Sequence, residues 1–256
     1  MRGCAARRDN AATILDDPPN MARYFALVPA AGSGSRMGAT VPKQYQLIHG
    51  KPMLWHALRA LCGHSRVECA YVVLSPQDAY FEQSEWSDFA GKLKALHCGG
   101  AVRAESVLNG LQALEGEVSE DDWVLVHDAA RPCLTRNLID KLIDAVGEDR
   151  AGGILAIPVA DTLKRADHAA RIAGTEARAG LWLAQTPQMF PYGRLLRALE
   201  AAPLDTITDE AGALEAQGVR PRLVEGSDLN VKVTRPEDLT LAEVILKAMN
   251  RQDASS

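Results

Sequence analysis

The feature that most constrains the fold is a short apolar run that ends in a glycine-rich loop. The run FALV at residues 25–28 is followed by Pro29, by the string AAGSGSRMG at 30–38 and, shortly afterwards, by Lys43. Glycines let backbone N–H groups approach phosphate oxygens because no Cβ stands in the way, and an arginine and a lysine add positive charge. The sequence therefore predicts a strand that leads into a polyphosphate-binding turn.

Positive charge is concentrated around this loop. Residues 18–67 contain no Asp or Glu but six basic side chains, whereas the whole chain carries a net charge of −5, so the basic strip is a local feature. Its members are Arg23, Arg36, Lys43, Lys51, Arg59 and Arg66. A discrete anionic ligand fits this pattern better than nucleic acid. We expect Arg36 and Lys43 to be functional, and Arg59 and Arg66 to be ordinary solvated charges.

Length and composition indicate one α/β domain. The chain has 256 residues, of which 47% are hydrophobic, and this is ample for a core. We expect a single domain at 22–250, between a disordered extension at 1–21 and a disordered tail at 251–256. The five cysteines form no C-x-x-C pair, which argues against a disulfide framework or zinc site and favours a cytoplasmic location. No apolar run approaches the ~18 residues of a membrane span, so no membrane partner is expected.

Short β-rich runs alternate with helical patterns along the chain. Predicted strands cover residues 24–29, 70–75, 94–97, 123–127, 152–158, 181–184, 221–225 and 230–233. Predicted helices cover residues 52–61, 77–89, 104–114, 135–147, 192–199, 208–216 and 236–249, the last starting at a capping box of Thr234 and Glu237. This order predicts an α/β, Rossmann-like fold, with a mostly parallel twisted sheet and helices on both of its faces.

Ligands of such a sheet gather at the carboxyl ends of the strands. Asp128 follows the run WVLVH at 123–127, where it could hold Mg²⁺ or could be a simple turn or cap residue. His127 should point to the opposite side of the strand and act as a core histidine. Lys232 lies between two valines on a predicted strand, and the cost of burying a lone charge makes a bound anion a reasonable partner.

The loop lacks the signatures of two other nucleotide-binding folds. It contains no G-x-x-x-x-G-K-[ST] string, which argues against a Walker A site. Met37 stands where the third glycine of G-x-G-x-x-G would be, and no acidic residue follows at the spacing typical of a dinucleotide-binding fold. A nicotinamide-dependent dehydrogenase is therefore disfavoured.

Six segments in order resemble the 2-C-methyl-D-erythritol 4-phosphate cytidylyltransferase family. They are PAAGSGSRM at 29–37 with PKQY at 42–45, HDAARP at 127–132, PVADTLK at 158–164, QTPQ at 185–188, TDE at 208–210 and NVKVT at 230–234. The resemblance runs from about residue 24 to 246 and implies transfer of CMP from CTP to methylerythritol phosphate. The phosphate monoester of such an acceptor has a second pKa of about 6 and needs no general base. Fixed cations and a divalent metal are needed instead.

The resemblance also implies roles for individual residues. The implied catalytic residues are Arg36, Lys43 and Lys232. The implied nucleotide contacts are Ala30, Ala31, Gly32, Gly34, Gly100, Ser106, Asp128 and Ala129, with cytosine read by the stretch at 99–106 and Mg²⁺ placed by Asp128. The implied contacts with the acceptor substrate are Arg131, Thr162, Arg178, Thr186 and Lys232.

Residues 159–185 are expected to form a β-arm that protrudes from the sheet. A lone two-stranded hairpin is marginal in water, so it should pair with something, and a symmetric partner is a low-cost solution. The resemblance implies a homodimer in which the arm carries Thr162 and Arg178 to the neighbour's substrate phosphate. The alternative is that the arm folds back on its own chain, with Arg178 as a surface charge.

Two departures from the family pattern concern binding details. Ala101 and Val102 replace a more polar pair after the double glycine, and Ala177 stands where an aspartate is common. Two other functions stay open. A ribitol 5-phosphate cytidylyltransferase would share nearly every motif, and a non-catalytic nucleotide-binding dimer would keep the fold alone. The joint presence of the loop arginine, both lysines and Asp128 speaks against the second alternative.

Overall fold

The computed structural model describes residues 23–32, 41–89 and 91–253, and it confirms the predicted α/β class. The strands are β1 (Tyr24–Pro29), β2 (Leu47–Ile48), β3 (Lys51–Pro52), β4 (Val67–Val73), β5 (Leu93–Leu96), β6 (Trp123–Val126), β7 (Gly153–Pro158), β8 (Leu163–Ala166), β9 (Ile172–Glu176), β10 (Trp182–Pro191) and β11 (Arg222–Glu225). The helices are α1 (Met53–Cys62), α2 (Arg103–Gln112), α3 (Arg136–Val146), α4 (Tyr192–Glu200), α5 (Glu210–Glu215) and α6 (Pro236–Asp253).

Within the described residues, the main sheet has seven strands in the order β11-β7-β10-β6-β1-β4-β5. β10 runs antiparallel to both of its neighbours, and the other pairs are parallel. β1 and β6 are adjacent and parallel, so the start of the glycine-rich loop and the residues after β6 emerge at the same edge. This edge is where a ligand site is expected in a parallel sheet.

The core lies on both faces of the sheet because side chains alternate along each strand. Ala26 and Val28 of β1 pack with α1 and α3 on one face. Phe25 and Leu27 pack with α2 and α4 on the other face. Each buried Leu or Val contributes roughly 1.5–3 kcal/mol, and burial on both faces explains why these strands read as continuous apolar runs.

The predicted helix at 77–89 is wrong. The structure has two short 3-10 turns there, Phe81–Gln83 and Ser87–Phe89. The Asp78 carboxylate accepts hydrogen bonds from the backbone N–H groups of Tyr80 and Phe81 at 3.0 and 2.9 Å. Such local side-chain bonds compete with helical bonds, which explains the irregular path of this segment.

The predicted strand at 230–233 is also wrong. This segment is irregular, and it is held beside the end of β6 instead of joining a ladder. The guanidinium of Arg131 donates to the Asn230 carbonyl at 2.6 Å, and the Val233 N–H donates to the Ala130 carbonyl at 2.8 Å. The Arg131 side chain therefore donates to a backbone carbonyl of this segment, as a neighbouring strand would do in a ladder.

The last helix begins at Pro236 as predicted, but its capping residue and its end differ from the prediction. The Asp238 carboxylate, not that of Glu237, accepts from the N–H groups of Thr234 and Arg235 at 2.8 and 2.9 Å. The capping interaction is therefore one residue later than the pattern indicated. The helix continues to Asp253, so residues 251–253 are helical and do not belong to a tail. Among the described helices, none is long and apolar enough to cross a bilayer.

The β-arm forms a small sheet of its own. β8 and β9 pair with each other in antiparallel register, and nearly all of their side chains are exposed. The predicted strand at 181–184 is the start of the longer β10, whose register shifts between Ala184 and Gln188. A proline in a strand interior favours such an irregularity, and Pro187 lies within the shifted part.

Candidate active site

A cavity of about 490 Å³ opens at the carboxyl ends of β1 and β6. Nine predicted site residues line it, namely Ala30, Ala31, Gly32, Lys43, Gly100, Ser106, Asp128, Ala129 and Lys232. Sequence reasoning did not assign a role to several other lining residues, of which Gln44, Arg103 and Thr234 carry polar side chains. The cavity thus brings together residues from widely separated parts of the chain.

Asp128 lies at the centre of an ionic cluster. Its Oδ1 accepts from Arg103 Nε at 2.8 Å, and its Oδ2 is 2.8 Å from Lys232 Nζ. The residue is only 6% exposed. Burial would raise the pKa of the Asp128 carboxyl, but Arg103 and Lys232 outweigh it and hold the pKa well below its usual range. Asp128 is therefore a fixed negative charge in an otherwise cationic cavity.

Arg103 is the main functional candidate that the sequence analysis missed. It is the first residue of α2, and its two terminal nitrogens donate to the Glu210 carboxylate at 2.6 and 3.1 Å. Burial lowers the pKa of Arg103, but Glu210 and Asp128 together raise it above its ordinary value. Asp128 and Glu210 both lie in segments that the family resemblance covers. However, 107 positions separate Arg103 from Glu210, so the sequence pattern does not reveal that they form a pair.

Lys43 is presented by a short 3-10 turn, Lys43–Tyr45. Gln44 Nε2 donates to the Ala30 carbonyl at 2.7 Å, which ties the turn to the glycine-rich loop. The Tyr45 hydroxyl lies 2.9 Å from both carboxylate oxygens of Asp78. The two neighbours of Lys43 therefore help to hold it at the cavity wall.

Lys232 was expected on a strand with an anion as its partner. It lies instead on the irregular segment after Asn230, with its side chain 42% exposed. The anion beside it is the Asp128 carboxylate. Because this lysine is partly exposed and paired with a cavity residue, it can turn toward a phosphate without leaving the site.

The stretch at 99–106 forms a wall of the cavity next to the glycine-rich loop. Ser106 Oγ accepts from the Gly100 N–H at 3.0 Å and donates to the Val102 carbonyl at 3.2 Å. Ser106 therefore shapes this wall. Gly99 lies so close to the other loop that a Cβ there would be 2.2 Å from Ala31 Cβ and 2.8 Å from the Leu74 carbonyl oxygen.

We predict that Gly99→Ala weakens binding of CTP, the nucleotide that the family resemblance implies, about tenfold, because relieving such an overlap costs about 1–3 kcal/mol and must move one loop. Calorimetric titration with CTP and a thermal melt would measure this. Gly174→Ala is the matched control, since a Cβ there meets no atom within 4 Å. Wild-type CTP affinity in the Gly99 variant would contradict the close approach of the two loops.

His127 is the buried core histidine that its position predicted. Its Nδ1 lies 3.0 Å from Thr186 Oγ1, and its Nε2 lies 3.1 Å from the Arg131 carbonyl oxygen. Because a carbonyl oxygen only accepts, Nε2 carries the proton of the neutral ring, and Nδ1 accepts from the Thr186 hydroxyl, whose oxygen in turn accepts from the Asp128 N–H at 3.0 Å. Burial lowers the pKa of His127 to about 4, and the neutral ring serves to hold the end of β6.

Arg131 and Thr186 do not line the cavity within this chain. Arg131 is 8% exposed and donates to the carbonyls of Asn230 and Ala184 at 2.6 and 3.2 Å. Thr186 is 4% exposed and is engaged by Asp128 and His127. Both residues hold the backbone around the cavity, and the substrate contacts implied for them stay predictions.

The remaining predicted site residues lie elsewhere. Thr162 and Arg178 are exposed at the base of the arm, where Arg178 donates to the Ala160 carbonyl. Their implied role across a dimer is not tested within one chain. Gly34 and Arg36 lie outside the described residues, so their roles stay predictions as well.

Two arginines of the basic strip are engaged away from the cavity. Arg59 donates to the Asn250 side chain at 2.7 Å, and Arg66 donates to the Asp144 carboxylate. Both contacts are exposed. This agrees with the expectation that these arginines are ordinary surface charges.

The donor set of the cavity fits a divalent ion that arrives with a polyphosphate. The described residues contain no cluster of three or more His, Cys, Asp or Glu side chains suited to a metal. Asp128 nevertheless offers a carboxylate in the cavity. Mg²⁺ is commonly held by one or two carboxylates, with substrate phosphates and water as its other ligands, so one carboxylate is sufficient here.

Comparisons with known proteins place the chain in one family. The model of the 2-C-methyl-D-erythritol 4-phosphate cytidylyltransferase family matches residues 24–248. Relatives with that name from Nitrosospira multiformis and Nitrosomonas eutropha are 58% and 55% identical over 229 residues, which cover 89% of this chain and 99% and 98% of theirs.

Solved structures agree with the sequence relatives. A crystal structure of a 4-diphosphocytidyl-2C-methyl-D-erythritol synthase is similar with a TM-score of 0.78 at 42% identity, covering 88% of this chain and 99% of the other. The cytidylyltransferase from Thermus thermophilus gives a TM-score of 0.71 at 30% identity, with 88% and 99% coverage. This chain therefore belongs to the 2-C-methyl-D-erythritol 4-phosphate cytidylyltransferase family.

Proposed function

We propose that this enzyme transfers CMP from CTP to 2-C-methyl-D-erythritol 4-phosphate, giving 4-diphosphocytidyl-2-C-methyl-D-erythritol and pyrophosphate. The observation that carries this proposal is the cavity in which Lys43, Lys232 and Asp128 meet the start of the glycine-rich loop. Fixed cations beside a loop of this kind suit the binding and cleavage of a triphosphate. Family membership supports CTP as the nucleotide and methylerythritol phosphate as the acceptor.

The reaction is a displacement at the α-phosphorus of CTP. A phosphate oxygen of the acceptor forms the new bond, the bond from the α-phosphorus to the bridging oxygen of the β-phosphate breaks, and pyrophosphate leaves with the electron pair. The acceptor phosphate is largely a dianion at neutral pH, so no side chain has to remove a proton. The buried, neutral His127 is consistent with a reaction that needs no general base.

The cavity residues bring two polyanions together and stabilise the charge that develops between them. Lys43 and Lys232 would contact the α-phosphoryl group and the acceptor phosphate, respectively. Asp128 would hold Mg²⁺ or another divalent cation, which would neutralise charge on the triphosphate when bound. Lys232 can leave Asp128 for a phosphate because Arg103 remains on that carboxylate.

A pyrophosphate-release assay tests the assignment. CTP, ATP, GTP and UTP would each be supplied with methylerythritol phosphate, with ribitol 5-phosphate and with no acceptor. We expect release only from CTP with methylerythritol phosphate. Preference for ribitol 5-phosphate would instead support the related cytidylyltransferase, and CTP binding without release from either acceptor would support the non-catalytic dimer.

We infer that the enzyme is a homodimer joined through the β-arm. The hairpin of β8 and β9 has little support from its own chain, and the arm region exposes the large apolar side chains of Ile172 and Leu183. A lone hairpin is marginal in water, and exposed apolar patches mark interaction sites. A second copy of the chain would cover these side chains and receive Thr162 and Arg178.

We predict that two inactive variants restore each other's activity when mixed. In a dimer of Arg178→Ala with Lys43→Ala subunits, one site has both an intact Lys43 and an intact Arg178 from the other subunit. Random subunit exchange should therefore recover about a quarter of the wild-type turnover. Each variant alone is the control. No recovery, with dimers confirmed by ultracentrifugation, would mean that Arg178 acts within its own chain.

We further expect the enzyme to work in a reducing cytoplasm. The described cysteines Cys62, Cys69, Cys98 and Cys133 are free thiols, and most of them are buried. Cellular reductants keep cytosolic thiols in this state. Thiol titration of the denatured protein, purified without reductant, would test this.

A further inference from the structure

We propose that Arg103 and Glu210 are positioning residues that fix the Asp128 carboxylate, with Glu210 acting through Arg103 from outside the cavity. This inference rests on the proposed function, because it concerns how a carboxylate of the reaction is held. The observation that supports it is a continuous chain of short hydrogen bonds from Glu210 through Arg103 to Asp128.

The guanidinium of Arg103 is divided between two carboxylates. Its two terminal nitrogens form a fork on Glu210, at 2.6 and 3.1 Å, and its Nε donates to Asp128 Oδ1 at 2.8 Å. Because the guanidinium is planar and rigid, two hydrogen bonds from its terminal nitrogens also restrict the orientation of its Nε–H. Glu210 therefore determines the direction from which Arg103 reaches Asp128.

The backbone around Glu210 is itself held in a fixed position. It is 1% exposed and is the first residue of α5. Asp209 caps this helix by accepting from the Gly212 N–H at 3.0 Å, and the Gln188 side chain bonds both Asp209, at 2.9 Å, and the Ala211 N–H, at 2.9 Å. Because Gln188 belongs to β10, the start of α5 is fixed to the central sheet.

This arrangement has a consequence for Lys232. With Arg103 in place, Asp128 keeps a positive partner when Lys232 moves to a phosphate. Without Glu210, Arg103 loses its fork and is free to rotate, and Asp128 then relies on Lys232, at 2.8 Å, and on the more distant Arg131, whose Nε is 3.9 Å from Oδ2. Lys232 would then be held back from the reacting phosphates, so the loss should appear in the chemical step more than in CTP binding.

The test compares Glu210→Gln and Arg103→Lys with the wild-type enzyme. We expect kcat to fall about 10- to 100-fold in each variant, which is the usual cost of removing a group that orients a functional ligand. The KM for CTP, and the dissociation constant of CTP from calorimetry without acceptor, should change by less than about threefold. Arg103→Lys keeps the charge but replaces the fork on Glu210 and the Nε bond to Asp128 by one ammonium group, so it remains informative if Glu210→Gln folds poorly.

The matched control is Asp122→Asn. Asp122 is also a buried carboxylate, 2% exposed, and it pairs with Arg23 at 2.7 Å at the opposite end of β1. Its loss should lower the melting temperature without changing kcat per folded molecule. A fall in kcat equal to that of Glu210→Gln would show that the effect is merely structural and would overturn the proposal.

A double variant tests whether Glu210 acts through Arg103. In the Arg103→Lys background, adding Glu210→Gln should change kcat by less than about twofold, because the connection is already broken. Multiplied losses would overturn the proposal, as would wild-type kcat in folded Glu210→Gln. In both of those results the wild-type enzyme is still active. Failure of the proposed function is different, because the wild-type protein would then release no pyrophosphate, and the positioning role would be refuted with it.

Discussion

Replacing Lys43 by alanine is expected to lower kcat/KM for the cytidylyl transfer about 10³-fold while the protein stays folded. Lys43 lies at the cavity wall beside the glycine-rich loop, where a cation can stabilise the charge of the transition state in a site shielded from water. Loss of one such preorganised group typically costs about 10²–10³ in rate, or roughly 3–4 kcal/mol.

The fold should tolerate this change because the side chains of Gln44 and Tyr45, which the variant keeps, anchor the turn through Ala30 and Asp78. Steady-state kinetics and circular dichroism would measure both effects. Lys141→Ala is the matched control, since Lys141 is an exposed lysine on α3 and its loss should leave kcat/KM unchanged. Normal turnover by folded Lys43→Ala would remove Lys43 from the reaction.

Asp128→Asn is expected to lower kcat at least 10²-fold and to destabilise the protein by about 3 kcal/mol. The amide keeps the size of the side chain, but its NH₂ group then meets Lys232 Nζ, which is 2.8 Å from Oδ2 in the native protein. Two donors face each other there, and Arg103 keeps only Glu210 as its counter-charge. Breaking a buried ion pair costs about 3–5 kcal/mol, and the partial exposure of Lys232 favours the lower end of that range.

The effect of Asp128→Asn on nucleotide binding separates electrostatics from misfolding. The cavity loses a negative charge, so CTP without metal should bind at least as tightly as to the wild-type enzyme. Urea denaturation, kinetics and calorimetry would supply the three measurements. Asp144→Asn, which removes an exposed carboxylate paired with Arg66, should change none of them. Weaker metal-free binding in a folded Asp128 variant would contradict the role given to this charge.

Sequence reasoning succeeded where the signal is local. The strand β1, the run before Asp128 and the helices α1 and α3 were predicted because apolar periodicity over a few residues reports burial directly. The order of six short motifs was sufficient to identify the family, and it named nine residues that line the cavity.

The failures have a common physical cause in side-chain contacts with the backbone. Asp78 diverts the backbone at 77–89 from a helix, and Arg131 holds the segment after Asn230 that was expected to be a strand. Periodicity describes which residues are apolar, and it contains no information about a carboxylate or guanidinium that bonds to backbone groups.

The sequence by itself determined most of the strands and helices and their order along the chain, the place of the glycine-rich loop and the chemical types at the strand ends, because these depend on neighbouring residues. Only the tertiary structure decided how the charges are paired. Asp128, Arg103 and Glu210 become one unit because the sheet order brings β6 and the starts of α2 and α5 to one cavity edge, across separations of 25 and 107 residues. Ion pairs form by proximity in space, and proximity at such separations is a property of the folded chain.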